Sequence, residues 1–280
     1  MQYNITASML NGFQSMLDAA ITAEQFWNID RETGEYKRTP DEIALQAECD
    51  LINSINRCPR EPMEAADKGT ALNEIVDCLL LGKSSTRDDI KCSKAVTDGG
   101  LLYALTAEIN GFTFEFDIDM CRRLRDMYKG SMVQHYHEAT MNTDLGIVTL
   151  YGYSDYWQGD TIRDLKTTKK YDFGKYERGW QRIVYPFCAV ESGEAVAVDR
   201  FVYDAIQLTE RSGIINGTHY PEEYAYGHIW ASKMLRDGVC RFIEWLESRR
   251  ELITDAKIFG GVNPSDYVGT PIMVDCLVIN

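Results

Sequence analysis

Apolar positions recur along this chain with two periods, and the changes of period mark the elements. The N-terminal region to about residue 60 carries helical spacing. Thr6-Ala-Ser-Met-Leu-Asn-Gly-Phe opens one helix, and Thr39-Pro40-Asp41-Glu42 is a second helix entry with proline in the first turn. A further helix is predicted from about Ala65 to Leu81, where Gly82 stops it. Asp88 to Gly100 reads as a polar loop. Leu101 to Asp119 alternates about Asn110-Gly111, a strong signal for a β-hairpin. A helix is predicted from about Met120 to Thr140. Ile147–Trp157 and Thr161–Thr168 then alternate as two strands about the turn Gln158-Gly159-Asp160. A helix from about Phe173 to Val190 and a strand at Ala195–Leu208 follow. An amphipathic helix from about Pro221 to Arg250 carries Trp230, Leu235, Phe242 and Trp245 on its apolar side. A last strand is predicted at Ile272–Val278.

This order predicts an α/β fold with a central mixed β-sheet flanked by helices, since hairpins exclude an all-parallel sheet. At 280 residues the chain forms one large domain. Its expected parts are a helical N-terminal addition (1–64), a core (65–210), and a C-terminal helix with a tail (211–280). Hydrophobic content of 45% and charged content of 26% are ordinary for a globular protein. Apolar runs are short, which excludes a bilayer-spanning segment. The N-terminus has no basic region before Arg31, so the expected location is cytoplasmic, in a bacterial or phage-infected cell. The eight cysteines form no CxxC pair and are expected as thiols in a reducing compartment, with Cys78 and Cys188 in apolar patterns.

One stretch carries chemistry. Gly152-Tyr-Ser-Asp155 ends nine residues before Asp164-Leu165-Lys166-Thr167, and Gln181-Arg-Ile-Val-Tyr185 follows. A strand sends alternate side chains to one face, so Asp164 and Lys166 point the same way. A neighbouring strand can bring Asp155 beside them. Two carboxylates and an ammonium at one point suit a hard divalent cation and a phosphoryl transition state. Gln181 and Tyr185 lie one helical turn apart and share a face.

Taken in order, these elements resemble the PD-(D/E)xK nuclease superfamily in its RecB-like branch, which includes recombination exonucleases and CRISPR-adaptation nucleases. That pattern is a Gly-Thr-x-x-His helix, a Gly-x-x-Asp strand, Asp-x-Lys-Thr/Ser, then Gln-x-x-x-Tyr. The chain offers Gly69-Thr70-Ala71-Leu72-Asn73, then the three segments above, over roughly residues 65 to 190. The resemblance implies a restriction-endonuclease-like core. It implies Asp155 and Asp164 as ligands of Mg²⁺ or Mn²⁺, with the Leu165 carbonyl as a further oxygen donor. Lys166 would orient the attacking water and stabilise the scissile phosphate, and Gln181 and Tyr185 would contact the active site and the DNA backbone. For Tyr185 a place in the core is the alternative.

The chain departs from the pattern at Asn73, where the family often has a metal-binding histidine. Asparagine is a neutral, weaker oxygen ligand. Asp77, one turn on, and Glu138, expected on the helix before the Asp155 strand, are other candidates for completing the site. Ser154 stands where the name motif has proline. No late Cys-x-x-Cys group is present, so an iron–sulfur cluster is not expected. His135-x-His137 on a helix would point to different faces, which argues against a zinc site.

Net charge is −14, which excludes a generally basic nucleic-acid coat. The distribution matters more. Lys166, Lys169, Lys170, Lys175, Arg178 and Arg182 are set against only Asp172 and Glu177. Lys169, Lys170, Lys175, Arg178 and Arg182 are the candidate phosphate contacts, with a solvated helix face as the alternative. The expected function is a Mg²⁺- or Mn²⁺-dependent deoxyribonuclease, an exonuclease of recombination, repair or phage-type DNA processing. Its expected partners are DNA and, as no GxxxxGK[ST] loop is present, a separate helicase or single-strand annealing protein. A ring-like oligomer is compatible with the superfamily. The competing reading is a catalytically weak or inactive nuclease-fold subunit that binds DNA or protein. An acidic DNA mimic would need clustered carboxylates, whereas these are spread.

Overall fold

The structure, a computed structural model, describes residues 1–23, 28–59 and 61–260. The strand expected at Ile272–Val278, and Cys276, lie outside these residues. The described residues build a nine-stranded mixed sheet with helices on both faces.

The chain begins with β1 (Gln2–Thr6), then α1 (Ala7–Thr22) and α2 (Pro40–Ile55). Thr6 caps α1 by accepting from the Met9 amide. Thr39 and Glu42 form a reciprocal capping box on α2, with Pro40 in its first turn. Next come α3 (Glu64–Leu81), β2 (Ile90–Val96), β3 (Leu102–Ile109) and β4 (Phe112–Asp117). Gly82 ends α3 in the left-handed conformation at φ 62°. Asn110 and Gly111 join β3 to β4 with φ 50° and 83°, as a tight hairpin turn of left-handed residues requires.

The rest is α4 (Ile118–Met127), β5 (Met132–Thr143), β6 (Gly146–Gln158), β7 (Thr161–Thr168), α5 (Gln181–Glu191), β8 (Arg200–Arg211), β9 (Ile214–Ala225) and α6 (His228–Ser248). The sheet runs β1-β6-β7-β8-β9-β4-β3-β2, with β5 also paired to β6. β1–β6, β7–β8 and β9–β4 are parallel and the other pairs antiparallel.

Five expectations are corrected. The helix expected to run to Thr140 stops at Met127, and 132–143 is a strand whose His137, Ala139 and Met141 are buried at every second position. The basic stretch from Phe173 is a series of turns, and the helix begins only at Gln181. Gly174 at φ 78° breaks it. The loop expected at 88–100 contains β2. The N-terminal addition is not wholly helical, since β1 joins the sheet beside β6. The sheet also continues past residue 210, because β9 occupies the start of the helix expected from Pro221.

One apolar cluster lies between the sheet and α1, α2, α5 and α6, and includes Leu10, Ile183, Phe187, Leu235 and Phe242. A second lies beneath α3 and α4, with Leu72, Val76, Cys121, Phe116 and Tyr156. Burying each large apolar side chain contributes roughly 1.5–3 kcal/mol, so both faces anchor the sheet. Cys188 is fully buried as a small hydrophobe in the first cluster, where its thiol donates to the Leu150 carbonyl. No helix of the described residues is long and apolar enough to cross a membrane.

Candidate active site

The site begins as a gap in the sheet. One flank of β6 is paired to β5 along its length. On the other flank, β1 covers Ile147–Tyr151 and β7 covers Tyr156–Gln158. The stretch between, Gly152-Tyr-Ser-Asp155, has no strand on that flank. The ladder between β6 and β7 stops at Tyr156↔Arg163, so Asp155 and Asp164 stand where the strands part.

The side-chain alternation of β6 also slips at Asp155. Leu150 and Trp157 are seven residues apart, yet both enter the first cluster, and Tyr156 enters the second. The β5 ladder omits the Gln134/Asp155 pair, and Gln134 has φ 48°. Asp155 is thereby turned toward the gap, where its Oδ2 accepts the Leu165 amide at 2.8 Å. In an extended strand the amide and carbonyl of one residue point to the same flank, so the Leu165 carbonyl faces the gap too.

β7 holds strict alternation. Asp164 and Lys166 share a face, with Nζ 2.5 Å from Asp164 Oδ2 and 5.9 Å from the centroid of the Tyr203 ring. Gln181, the first residue of α5, donates from Nε2 to Asp164 Oδ1 at 2.7 Å. Asp164 is buried, whereas Lys166 keeps 30% side-chain exposure, so the lysine is the more open member of the pair.

Electrostatics follow from this crowding. Burial, then the neighbouring Asp164 charge, raises Asp155 to about 7. Burial also raises Asp164, against the pull of Lys166. Burial opposes the charge of Lys166, but Asp164 and Asp155 outweigh it and hold the ammonium above its ordinary value. One buried and one half-buried carboxylate for one ammonium leave a local excess of negative charge when both are ionised. That donor set fits a hard divalent cation held by Asp155, Asp164 and the Leu165 carbonyl.

The uncertain ligand positions are occupied differently from expectation. Asn73 Nδ2 donates to Asp155 Oδ1 at 3.1 Å, and its oxygen accepts from Tyr156 at 2.9 Å. An ionised carboxylate only accepts, so the amide must turn its NH₂ toward Asp155. Asn73 therefore orients Asp155 and does not offer the carbonyl ligand expected of it. Asp77 is buried, shares the single Tyr156 hydroxyl proton with the Asn73 oxygen at 2.9 Å, and accepts from Gln134 at 3.0 Å. Gln134 Nε2 also lies 3.4 Å from Asp155 Oδ1, so Asp77 stands one layer behind. Glu138 is on β5 rather than on a helix. It is four residues along from Gln134, about 13 Å at strand rise, and accepts from Tyr136 at 2.5 Å. It does not complete the Asp155 site.

Tyr185 is 5% exposed. Its ring stacks on His137 and fills the space over Gly152, where a Cβ would come within 2.8 Å of Tyr185 Cε1. It takes the core alternative, which leaves no surface for DNA. Gly69 plays the matching part in α3, since a Cβ there would meet Thr167 Oγ1 at 2.5 Å. The glycine of each motif thus admits a side chain of another.

The basic residues divide. Lys169, Lys170 and Lys175, with Lys68 from α3, line a cleft of about 890 Å³ that begins at Thr167 and Thr168, directly after Lys166. Lys68 pairs with Glu64 and Glu210, and Lys170 with Asp172. Lys175 donates to Thr168 Oγ1 at 2.6 Å. Arg178 pairs with Asp18, and Arg182 donates to the Glu177 carbonyl beneath the Tyr224 ring.

The His-x-His pair is the clearest miss. The zinc objection assumed a helix, but on β5 both rings face one side, with centroids 4.8 Å apart. With Glu194 they form a group whose ligand atoms all lie within 4.8 Å of one another. A two-residue period read through His135, His137 and Ala139 is the signal that would have found it.

No protein-family model matches the chain, and no curated protein matches it. The crystal structure of SSO0001 is similar over 49% of this chain and 66% of that one, at 10% identity and a TM-score of 0.29. A likeness at that level carries no argument about fold or activity.

Proposed function

We propose that this protein is a divalent-metal-dependent deoxyribonuclease with a restriction-endonuclease-like core of the PD-(D/E)xK type. The observation that carries the reading is the open β6–β7 gap, in which Asp155, Asp164 and the Leu165 carbonyl face one another beside the Lys166 ammonium. Mg²⁺ or Mn²⁺ held there supplies Lewis acidity and a more acidic bound water. The chain's own groups do the rest. Gln181 and the Leu165 amide each fix one carboxylate oxygen, while the second Asp155 oxygen meets Asn73 and Gln134 and the second Asp164 oxygen meets Lys166, so a metal would share these oxygens through their remaining lone pairs. Asn73 and Gln134 set the orientation of Asp155. Lys166 keeps its proton under the field of both carboxylates and is placed to stabilise charge on a scissile phosphate. The lysines of the adjoining cleft give a phosphate backbone a path away from the site.

The test is degradation of linear DNA. Purified protein should digest it with Mn²⁺ or Mg²⁺ and not with EDTA, and Asp164→Ala and Lys166→Ala should each abolish digestion. Cleavage that survives both substitutions overturns the assignment. A second reading is favoured by Asn73, which turns a donor where a third ligand is needed. A protein that binds DNA in a salt-sensitive manner and never cuts would establish that binding-only role.

A further inference from the structure

We propose a second metal site, for a borderline divalent transition metal of the zinc type, formed by His135, His137 and Glu194 behind the candidate active site. It does not depend on the nuclease reading.

β5 places the two imidazoles on one face, and Glu194 reaches them from the turn that follows α5. His135 Nε2 lies 3.0 Å from Glu194 Oε2, and His137 Nδ1 lies 3.9 Å from the same oxygen. Ligand bonds of about 2.0–2.1 Å in a tetrahedron put donor atoms roughly 3.3 Å apart. The His135–Glu194 separation already fits. Small side-chain movements bring in the third donor, because Glu194 is on a turn and 39% exposed at its side chain.

A second observation points to a ligand. His137 is fully buried, and its Nδ1 has no hydrogen-bond partner. Its Nε2 lies 2.8 Å from Ser154 Oγ. A proton on Nδ1 has no acceptor within hydrogen-bond distance, Glu194 Oε2 lying at 3.9 Å, whereas a proton on Nε2 is donated to Ser154 at 2.8 Å. The favoured tautomer therefore aims a bare Nδ1 lone pair at Glu194 and His135. A metal-binding histidine whose other nitrogen is anchored behind it has this arrangement. Trp157 and Tyr185 wall the imidazoles, with ring centroids 4.9 Å from His135 and 5.6 Å from His137. Two imidazoles and one carboxylate suit zinc-type ions better than magnesium, with a water as fourth ligand. The bound ion would tie the exit of α5 to β5, directly behind the strand that carries Asp155.

Co²⁺ is the probe, because tetrahedral nitrogen and oxygen ligation gives it an intense visible absorption. The metal-stripped full-length protein is titrated with Co²⁺ in excess Mg²⁺, and the Asp155→Asn/Asp164→Asn variant is run in parallel. The expected result is one equivalent with a tetrahedral spectrum in both, displaced by Zn²⁺. Glu194→Gln and His135→Asn, both at partly exposed positions, should lose that spectrum. Ser154→Ala should bind about 10–100-fold more weakly. No tetrahedral spectrum in the parent, a spectrum that disappears in the double aspartate variant, or one that survives Glu194→Gln and His135→Asn together overturns the site. None of these outcomes bears on DNA cleavage.

Discussion

Asp155 Oδ2 accepts the Leu165 amide at 2.8 Å, so a side chain closes the ladder where backbone pairing between β6 and β7 has ended. That bond fixes the carboxylate without neutralising it. Asp155 remains half-buried beside Asp164, and burial and that charge together raise it to about 7 from an ordinary 3.8.

The consequence for stability has a definite sign. The folded state holds the Asp155 proton more tightly than the unfolded chain, so stability from this group is fully present below pH 3.8. It is lost as pH rises, and the whole cost is in place above about pH 7. At about 1.36 kcal/mol per pH unit the ceiling is roughly 4 kcal/mol. Asp77, raised to about 6 chiefly by burial, acts in the same direction. In EDTA at pH 8, Asp155→Asn should melt higher than the parent, and the difference should shrink toward pH 4. Adding Mn²⁺ at pH 8 should raise the melting temperature of the parent and leave the variant unchanged. A variant that melts lower than the parent at pH 8 in EDTA refutes this account.

Packing between motifs is testable by a double-mutant cycle. Gly69→Ala alone drives a Cβ to 2.5 Å from Thr167 Oγ1, an overpacking that costs about 1–3 kcal/mol. With Thr167→Ala as well, that oxygen is gone, and alanine recovers up to about 1 kcal/mol of helix propensity over glycine. Denaturant melts should show the single variant destabilised and the double variant at or above Thr167→Ala. Equal losses in single and double variants would mean that the contact does not limit the approach of α3 to β7.

These contacts also indicate what could be read from the sequence. The shared face of Asp164 and Lys166 is legible because it rests on local periodicity, and the Asn110-Gly111 hairpin because its turn is chemically specified, whereas the approach of Gln181 to Asp164 is implied only by the resemblance. β5 was not. Its β-formers Val133, Tyr136, Thr140 and Thr143 are interleaved with Gln134, Glu138, Ala139 and Met141, which suit a helix, and the stretch follows a real helix. Only pairing along the whole of β6 makes it a strand. β1 is five residues long and is held by its parallel partner, an interaction across more than a hundred residues of chain. The roles of Gly152, Gly69 and Asn73 depend on which residue stands opposite, and spacing does not contain that information.

Gln181 should act by positioning Asp164. Its amide is 2.7 Å from Asp164 Oδ1 and tolerates no like charge there. Gln181→Ala should weaken metal affinity about 10–100-fold, as loss of a ligand's outer partner does. Gln181→Glu should do worse, since a carboxylate against Asp164 raises both acids further. Isothermal titration with Mn²⁺ at pH 8 separates the two, and raising the pH should recover Gln181→Glu more than Gln181→Ala. Equal affinities for the parent and both variants would remove Gln181 from the site.

If the cleft after Thr168 carries a phosphate backbone, its lysines should differ in a way that their ion pairs predict. Lys169 and Lys175 line it without a salt bridge among the described residues, whereas Lys170 is paired to Asp172 and Arg178 to Asp18. Each phosphate neutralised contributes about 0.9 to the slope of log affinity against log salt on duplex DNA. Lys169→Ala and Lys175→Ala should each reduce that slope by about 1. Lys170→Ala and Arg178→Ala should reduce it less, because an existing partner must first be given up. Lys68, bridged between Glu64 and Glu210, belongs with the second group. Binding is measured with Asp164→Ala protein in EDTA, so that cleavage does not interfere. A uniform loss across all five variants would indicate a diffuse field, and no loss at Lys169 or Lys175 would move the DNA path off this cleft.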